Sequence, residues 1–520
     1  MATAPTPERF EMAYPADTVV RLLEKGAARD TALAAPDRIG LSYAGLRGLA
    51  QRTVEALNGM GIGRGDRVAL VLPNGPELAG AFLAMACGAT TAPLNPAYRA
   101  EEFEFYLTDL RAKALVIADG MESPARAVAA AISIPILEMT SDRTMAGAFS
   151  LTPQRHLAGR PEAAGLAAAD DVALVLHTSG TTARPKIVPL THRNITASAY
   201  HIAATLALTP GDCCLNVMPL FHIHGLIAAV LASLAAGGAV CCTPGFHALK
   251  FFHWFESVRP SWYTAVPTMH QALLARAPRN LAAIKSGRLR FVRSSSASLP
   301  PSVMGELEDF LGVPVIESYG MTEAAHQMAS NPLPPKARCP GSVGPAAGPE
   351  IAIMDDAGAL LPPGLLGEVV IRGRNVTAGY ENNPEANARA FTNGWFRTGD
   401  QGRLDEAGYL RLTGRLKELI NRGGEKVGPL EIDAVLMNHP AVAQAVAFGM
   451  PHKILGEEVA AAVVLRPGQT ATEHELRDFA GAHLAHFKVP RKIIFVGEIP
   501  KGATGKLQRA GLAQRLGLEA

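Results

Sequence analysis

The sequence has little net charge, few aromatic side chains and no long hydrophobic run. Its 520 residues include 49 Lys or Arg against 47 Asp or Glu, so the formal net charge is +2, and aromatic residues make up 6%. A balance this close to neutral provides neither the basic surface typical of nucleic-acid binding nor a polybasic membrane patch. The longest predominantly apolar stretch, residues 227–242, is shorter than the ~20 residues of a bilayer-spanning helix. We therefore expect no nucleic-acid partner and no membrane span.

Cysteine is also scarce, and its distribution argues against two common uses. Four of the six cysteines form the vicinal pairs Cys213-Cys214 and Cys241-Cys242, which suit neither a disulfide framework nor a CxxC metal knuckle. They are typical of small buried side chains in a reducing compartment. The first residues lack the basic start and apolar stretch of a secretory signal. These features predict a cytoplasmic location.

Helix-like and strand-like segments alternate along most of the chain. Such alternation is typical of α/β architecture with buried, mostly parallel strands. Strands are predicted at 67–72, 172–176, 290–293, 313–317 and 369–372, with helices at 46–60 and 76–87.

The pattern changes near residue 414, where dense turn residues give way to a smaller α+β unit. Helices are predicted there at 432–438 and 473–483, and strands at 443–448, 459–465 and 492–496. The unit has a plausible domain size of about a hundred residues. We predict an N-terminal domain over 1–416 and a C-terminal domain over 417–520.

The strongest local motif is HTSGTTARPKIVPLTH at residues 177–192. A predicted strand ends in consecutive hydroxyl side chains and Gly180, and the chain then reaches Lys186. Hydroxyl donors, a glycine that permits close backbone approach and one ammonium group suit a polyphosphate. The GK[ST] ending of a Walker A loop is missing. The alternative is a polar surface loop between a strand and a helix.

Two weaker motifs carry side chains suited to a nucleotide. In ESYGMTE, residues 317–323, Glu323 is a candidate Mg²⁺ ligand, Thr322 a phosphate donor and Tyr319 a flat face for a base. In WFRTGD, residues 395–400, Asp400 is a candidate acceptor for a ribose diol. Taken alone, each motif is more typical of an ordinary polar loop.

Three cations and two histidines complete the set of candidates. Arg415 and Lys417 lie in GRLKELIN, and Lys506 lies in PKGATGKLQR, where it matters only if the small domain folds over a site in the large one. His222 and His224, in MPLFHIHGL, have no further ligand placed to complete a metal set, so a core or pocket-lining role is favoured.

Together and in this order, TSGTT…K, ESYGMTE, WFRTGD, GRLKELI and PKGATGK resemble the adenylate-forming superfamily of acyl-CoA synthetases, luciferases and carrier-loading adenylation domains. The resemblance covers nearly the whole chain. MPLFHIHGL, RSSSASLP and MTEAAHQMASNPLPP look like the oxalate–CoA ligase subgroup. Two positions that are usually glycine in the wider family are Ala183 and Ile187 here. Ile187 is β-branched and disfavours a positive φ.

The resemblance implies a large domain of α/β subdomains plus a distorted β-barrel, and a small mobile α+β domain that swings about Lys417. It implies ATP, Mg²⁺ and coenzyme A as partners. ATP and a carboxylate would give an acyl-adenylate and pyrophosphate, and the CoA thiol would then displace AMP.

Carried over by position, the resemblance also assigns roles to single residues. The catalytic group would be Lys506, Thr322, Glu323 and Lys186, with Glu323 on the metal. The nucleotide would contact Thr178, Ser179, Gly180, Thr181, Thr182, Lys186, Ala297, Ser298, Tyr319, Gly320, Thr322, Asp400, Arg415 and Lys506. Gly423 and Gly424 would line the path of the CoA pantetheine.

We expect a short acid with a second carboxylate, oxalate first. A long alkyl chain would leave polar pocket side chains unpaired, which costs roughly 1–3 kcal/mol for each buried group. The acyl candidates are His222, Ser295, Ser296 and His326, with Tyr263, Val266 and Met269 beside them. His326 has the alternative role of fastening its own loop.

Several functions stay open on the sequence alone. In the first alternative, the chain is a CoA ligase whose acid is malonate, a medium-chain acid or an aryl acid. In the second, the chain is a stand-alone adenylation enzyme that loads a carrier protein. A non-catalytic nucleotide sensor is disfavoured by the intact Lys506, Glu323 and Lys186. Monomer and homodimer are both compatible with the sequence.

Overall fold

Sheets built mainly from parallel strands dominate the computed structural model, which describes residues 14–178 and 185–518. Within those residues the strands form four sheets. The seven-stranded and eight-stranded sheets carry the parallel strands, and the six-stranded and five-stranded sheets follow later in the chain. In the same described ranges, no helix is long and apolar enough to cross a bilayer.

The seven-stranded sheet is parallel in its centre and antiparallel at both edges. In spatial order its strands are Phe149–Pro153, Ile136–Ser141, Ala114–Ala118, Arg67–Val71, Thr90–Pro93, Val172–Thr178 and Lys186–Thr191.

The eight-stranded sheet has the same plan, with six parallel strands between two antiparallel edges. In spatial order its strands are His326–Ser330, Val315–Met321, Phe291–Ser295, Trp262–Ala265, Cys213–Asn216, Ala239–Cys242, Thr31–Ala34 and Leu41–Ser42.

The six-stranded sheet is antiparallel and is formed by strands that follow the two parallel sheets in the chain. Its strands are Leu360–Leu361, Glu350–Met354, Gly367–Arg372, Trp395–Leu404, Phe391–Thr392 and Leu410–Arg415. The five-stranded sheet follows it, with strands Glu425–Val427, Ile420–Arg422, Gly456–Leu465, Val442–His452 and Lys492–Phe495.

Helices cover the faces of these sheets. The α-helices are Val19–Leu22, Tyr43–Gly59, Pro76–Ala86, Ala100–Asp109, Pro124–Ala131, His192–Thr205, Ala232–Ala235, Phe251–Val258, Pro267–Leu274, Leu281–Ser286, Pro301–Leu311, Pro384–Ala390, Pro429–Met437, Glu473–Gly481 and Leu512–Arg515. A π-helix spans His224–Leu231, and 3₁₀ turns span Ala277–Arg279, Thr322–Ala324, Leu416–Glu418 and His486–Lys488.

One helix joins the two parallel sheets. Pro76–Ala86 starts with a proline at its first turn, and every residue in it except Glu77 is buried. It contacts strands Arg67–Val71 and Thr90–Pro93 of one sheet and Thr31–Ala34 and Ala239–Cys242 of the other. Its small apolar side chains permit this double contact, because a helix that is apolar all round is a buried one. The two sheets therefore share one hydrophobic core.

The apolar stretch 227–242 folds as a helix followed by a strand. The π-helix His224–Leu231 continues into Ala232–Ala235, and the helix ends at Gly237, whose φ of 77° suits glycine. Strand Ala239–Cys242 then enters the sheet. The π-helical form was not expected, and helices of this kind occur frequently at functional sites.

The small C-terminal unit contacts the large one through polar groups and through a shared cluster of buried apolar side chains. The Arg466 and Glu306 side chains approach to 2.8 Å, and the Gln271 amide donates to the Ala443 carbonyl at 2.9 Å. The chain passes between the units through the 3₁₀ turn Leu416–Glu418, which separates the six-stranded from the five-stranded sheet. The domain limits 1–416 and 417–520 stay a prediction, and they fall within this turn.

Candidate active site

The candidate site lies along the carboxyl edge of the eight-stranded sheet. Strands Phe291–Ser295 and Val315–Met321 run parallel and in register, so the segments that follow them meet at this edge. Those segments carry Ser296, Ala297 and Ser298 in one turn and Thr322 and Glu323 in the other. Ala297 and Ser298 are exposed, as a surface that receives a ligand requires.

A buried carboxylate lies at the end of the site that is predicted to bind the ribose. Asp400 lies opposite Arg415 in the antiparallel pairing, which brings Arg415 Nε to 3.1 Å from Asp400 Oδ1. The Tyr319 hydroxyl donates to Asp400 Oδ2 at 2.5 Å. Burial raises the pKa of Asp400, and Arg415 opposes that rise. Three residues from separate predicted motifs therefore meet, with the Tyr319 hydroxyl engaged by Asp400.

A second buried carboxylate lies at the end predicted for the phosphates. Glu323 Oε1 accepts a hydrogen bond from the Tyr380 hydroxyl at 2.8 Å, and Lys186 Nζ lies 4.2 Å from the centre of the Tyr380 ring. Burial raises the pKa of Glu323, and it lowers the pKa of Lys186. One carboxylate beside one ammonium fits Mg²⁺ in a polyphosphate complex, because Mg²⁺ uses one or two carboxylates and takes its other ligands from phosphate and water.

Tyr380 is a site residue that the sequence reasoning missed as such. It lies in the segment NVTAGYENNPEAN, and its ring and hydroxyl join Lys186 to Glu323. An aromatic residue in a polar, turn-rich stretch is the signal that could have identified it.

The predicted phosphate loop is described only at its two ends. Thr178 ends one strand and lies opposite Lys186 at the start of the next, so the pairing places both at the mouth of the loop. Ser179, Gly180, Thr181, Thr182 and Ala183 lie outside the described residues. Ile187 is buried in the extended strand Lys186–Thr191, where no positive φ is required. Its β-branched side chain is therefore compatible with the path of the chain after Lys186.

Imidazoles cluster at the acyl end. His224 contacts the Ser296 hydroxyl through Nδ1 at 3.0 Å and the Thr264 hydroxyl through Nε2 at 2.6 Å. The centre of its ring lies 5.0 Å from that of His326. His222 accepts a hydrogen bond on Nδ1 from the His224 backbone at 3.2 Å. Burial lowers the pKa of all three histidines, so they are neutral at pH 7.

Strained backbone fixes this end of the site. Ser296, Ala325 and His326 have φ values of 74°, 47° and 99°. Non-glycine residues rarely adopt such values, and they cluster at functional sites where the surrounding structure holds them. Gly320 is required next to them, because a Cβ there would lie 1.6 Å from the His326 carbonyl oxygen.

Three other acyl candidates have different surroundings. The Ser295 hydroxyl donates to the Ser318 carbonyl at 3.0 Å within the sheet. Tyr263 packs with Phe251 in a separate apolar cluster, and its hydroxyl lies 3.2 Å from His270 Nδ1. A Cβ on Gly505 would lie 3.3 Å from Val266 Cγ2 and 3.5 Å from Met269 Cε, so both side chains face the loop that carries Lys506.

The small domain inserts Lys506 into the site. The Thr268 hydroxyl donates to the Gly505 carbonyl at 2.7 Å, which anchors the glycine-rich loop of the small domain on the large one. Burial, followed by the charge of Arg415, lowers the pKa of Lys506 to about 8, and Asp400 opposes the shift. Lys506 in turn contributes to the lowered pKa values of His222 and His326. One ammonium group therefore influences both the ribose carboxylate and the acyl imidazoles.

The residues predicted for CoA and for the hinge lie apart from this cluster. Gly423 and Gly424 form the exposed turn between strands Ile420–Arg422 and Glu425–Val427, with φ values of 59° and 95°. Lys417 is exposed in the turn that joins the two units. The structure does not bring the two glycines together with the nucleotide residues.

Comparison with known families decides the general class. Residues 23–381 match the AMP-binding enzyme family, and residues 431–506 match the AMP-binding enzyme C-terminal domain. The chain belongs to the AMP-binding enzyme family.

Relatives of this family member include two oxalate–CoA ligases. The protein of Arabidopsis thaliana is 46% identical over 96% of this chain and 98% of its own length. The protein of Saccharomyces cerevisiae is 44% identical, with 87% of each chain covered.

The structure is also similar to that of MatB from Rhodopseudomonas palustris. The ATP-bound crystal structure of MatB superposes with a TM-score of 0.86 at 32% identity, and it covers 96% of this chain and 98% of its own. The apo structure of the same protein, with the same coverage, gives 0.78. The arrangement seen here is thus nearer to the ATP-bound form of that relative.

Replacing Tyr380 by Phe tests the phosphate end. The ring under Lys186 is kept, while the hydrogen bond that orients Glu323 is lost. We expect the Mg²⁺ concentration needed for half-maximal activity to rise about 10-fold, the scale for losing a partner of a metal ligand. A Mg²⁺ titration of pyrophosphate release measures it. Tyr409→Phe, at a partly exposed tyrosine that donates to the Ala337 carbonyl, is the matched control. An unchanged Mg²⁺ dependence would contradict the role given to Tyr380.

Proposed function

We propose that this chain is an ATP-dependent acid–CoA ligase whose acid is oxalate. One observation carries the proposal: the Thr268 hydroxyl donates to the Gly505 carbonyl, so the next residue, Lys506, lies where its charge acts on Asp400 at the nucleotide end and on His222 and His326 at the acyl end. A carboxylate that attacks the α-phosphate of ATP brings two anions together. A cation at that meeting point stabilises the transition state.

The first half-reaction joins the acid to AMP. A carboxylate oxygen attacks the α-phosphorus of ATP, the bond to the β-phosphate oxygen breaks, and pyrophosphate leaves. Asp400 and Arg415 hold the ribose, Thr322 and Lys186 hold the phosphates, and Lys506 bridges the carboxylate and the α-phosphate. Mg²⁺, when bound through Glu323, neutralises phosphate charge.

The second half-reaction forms the thioester. The CoA thiolate attacks the acyl carbon, the bond to the AMP oxygen breaks, and AMP leaves. Lys506 and the pantetheine arm would compete for the same approach to that carbon. Rotation of the small domain about Lys417 resolves the conflict, because it withdraws Lys506 and brings Gly423 and Gly424 to the site.

Two lines of support favour oxalate as the acid. Neutral imidazoles and hydroxyls at the acyl end offer hydrogen bonds that a second carboxylate uses and an alkyl chain leaves unpaired. The similarity to oxalate–CoA ligases, at 44–46% identity over most of the chain, points the same way.

We also propose that the protein acts in the cytoplasm. Its six cysteines are free thiols, and five of them are buried. Burial raises the pKa of Cys87 and Cys242 to about 12, which suppresses the reactive thiolate. Thiols kept as small core side chains are typical of reducing compartments.

Product analysis with a panel of acids tests the reaction and the substrate. With ATP, Mg²⁺ and CoA, we expect release of AMP and pyrophosphate, and the highest kcat/KM for oxalate among oxalate, malonate, acetate, hexanoate and 4-coumarate. His326→Ala should reduce oxalate turnover. Release of ADP would contradict adenylate formation, and acylation of a carrier protein without free acyl-CoA would favour a carrier-loading enzyme. A higher kcat/KM for hexanoate or 4-coumarate would rule out the proposed substrate.

The role of Lys506 is tested by separating the half-reactions. Lys506→Ala should slow adenylate formation by about 10²-fold or more, the scale of one preorganised electrostatic group. Thioester formation from preformed adenylate should be mostly retained. Lys501→Ala, in the same loop and paired with Glu498, is the control. Equal losses in both half-reactions would contradict the assignment.

The pH profile supplies an independent readout of Lys506. The charged ammonium is present below its pKa of about 8, so kcat/KM for ATP–pyrophosphate exchange should fall as pH rises through that value. The exchange omits CoA, whose thiol would add its own titration. Lys506→Arg should remove the fall, since arginine stays charged throughout this range.

Replacing Lys417 by Pro tests the pivot. Proline holds φ near −65°, which suits the present 3₁₀ turn and resists a different conformation. Adenylate formation should therefore survive better than thioester formation, as measured in single-turnover assays of each step. Lys417→Ala removes the side chain but leaves the backbone free, and it should not produce this difference. Wild-type rates for both steps in Lys417→Pro would exclude Lys417 as the pivot.

A further inference from the structure

A fully buried arginine lies beside the acyl imidazoles with most of its guanidinium group unpartnered. Arg293 belongs to strand Phe291–Ser295 and has no exposed surface. Its Nη2 lies 3.5 Å from His326 Nδ1 and 3.4 Å from Gln327 Oε1. Among the residues that the structure describes, Nε and Nη1 have no hydrogen-bond partner.

The absence of a counter-charge distinguishes this arginine from other well-shielded ones. Arg509 pairs with Asp433 at 2.6 Å, and Arg397 pairs with Glu368 at 2.6 Å. Across residues 14–178 and 185–518, no carboxylate lies within ion-pairing distance of Arg293. A buried charge without a partner is strongly unfavourable, so it is retained where something else requires it.

The groups that face Arg293 offer no negative charge of their own. Burial lowers the pKa values of His224 and His326, and it raises the pKa of Cys214, so all three are neutral at pH 7. Burial also lowers the pKa of Arg293, to about 9, which still leaves the guanidinium charged at neutral pH. The acyl end therefore has a net positive charge from Arg293 in addition to that of Lys506. A ligand that brings an anion would offset it.

The hydrogen bonds also decide which imidazole nitrogens can donate. A guanidinium group only donates, so His326 Nδ1 accepts from Arg293 and the proton of the neutral ring lies on Nε2. His222 Nδ1 accepts from the backbone N–H of His224, so its proton lies on Nε2 as well. Two N–H donors next to a positive charge are a chemical match for a carboxylate.

We propose that Arg293 is the positioning residue that makes the acyl end selective for an acid with a second carboxylate. It holds His326 in the tautomer that donates from Nε2, and it provides the positive charge that the second carboxylate requires. This inference rests on the proposed function and assigns its substrate specificity to a residue outside the ATP machinery.

The test compares two acids of similar size in wild type and in Arg293→Met. Glycolate is oxalate with one carboxylate replaced by a hydroxymethyl group. ATP–pyrophosphate exchange gives kcat/KM for each acid, and titration in the presence of a non-hydrolysable ATP analogue gives each binding constant without turnover. We expect oxalate kcat/KM to fall about 100-fold, mainly through KM, as for the loss of one buried charge partner. Glycolate should change by less than about 3-fold.

Arg290→Met is the matched control, three residues earlier in the chain. Arg290 is partly exposed and pairs with the buried Asp212 at 2.5 Å. Its replacement should lower the melting temperature and leave the oxalate-to-glycolate ratio unchanged. Arg293→Met should lower the oxalate-to-glycolate ratio. It should also raise the melting temperature, because an apolar side chain of similar length relieves an unpaired buried charge. If the role of Arg293 were purely structural, Arg293→Met would instead lower the melting temperature and leave the oxalate-to-glycolate ratio unchanged.

Two conservative variants keep the test decisive if Arg293→Met does not fold. Arg293→Lys retains the charge and a donor, and its oxalate-to-glycolate ratio should lie within about 10-fold of wild type. Arg293→Gln retains a donor but not the charge, and its ratio should fall below that of Arg293→Lys. Equal losses for both acids, or a ratio that stays at the wild-type value in Arg293→Gln or Arg293→Met, would overturn the role of Arg293.

The wild-type measurement separates this inference from the proposed function. If wild type does not prefer oxalate over glycolate, the proposed substrate is wrong and the role of Arg293 falls with it. If wild type prefers oxalate and the Arg293 variants keep that preference, only the role of Arg293 is overturned.

Discussion

The proposed active site depends on placing positive charge where two anions must meet. A carboxylate and a triphosphate repel each other, and a buried site cannot rely on water to screen them. The structure supplies Lys506 from the small domain, Arg415 from the edge of the six-stranded sheet and Lys186 from the seven-stranded sheet. Three parts of the fold thus each bring one cation to the carboxyl edge of the eight-stranded sheet.

Burial then sets the protonation of the groups around these cations. The same desolvation that lowers the pKa of Lys506 to about 8 keeps His222 neutral, with its pKa lowered to about 3. Neutral imidazoles donate hydrogen bonds without adding charge, so the net positive charge at the acyl end comes from Lys506 and Arg293. The two buried carboxylates at the nucleotide end are held by Tyr319 and Tyr380 through their hydroxyl groups. This division of charged and neutral donors is what the proposed chemistry needs.

The contacts between the two units include hydrogen bonds and an ion pair, and apolar side chains of both units also belong to one buried cluster. The Thr268 hydroxyl bond to Gly505 and the Arg466–Glu306 ion pair hold the present orientation. Partly exposed ion pairs of this kind contribute little, on the order of 0–1 kcal/mol. These polar contacts can be exchanged for others at low energetic cost, whereas the core shared by the two parallel sheets cannot rearrange in this way.

The sequence by itself determined the class of fold, and its motifs contained most of the residues that we propose for the nucleotide site. Alternating periodicity placed helix Pro76–Ala86 and the parallel strands, and the ordered motifs contained Asp400, Arg415 and Glu323. What only the tertiary structure decided are contacts between side chains far apart in the chain. The hydroxyl of Tyr380 reaches Glu323, and the guanidinium of Arg293 reaches His326. Local patterns report the period of a strand or helix and the chemistry of a turn. They do not report which faces meet after folding, because sheet order and register fix those meetings.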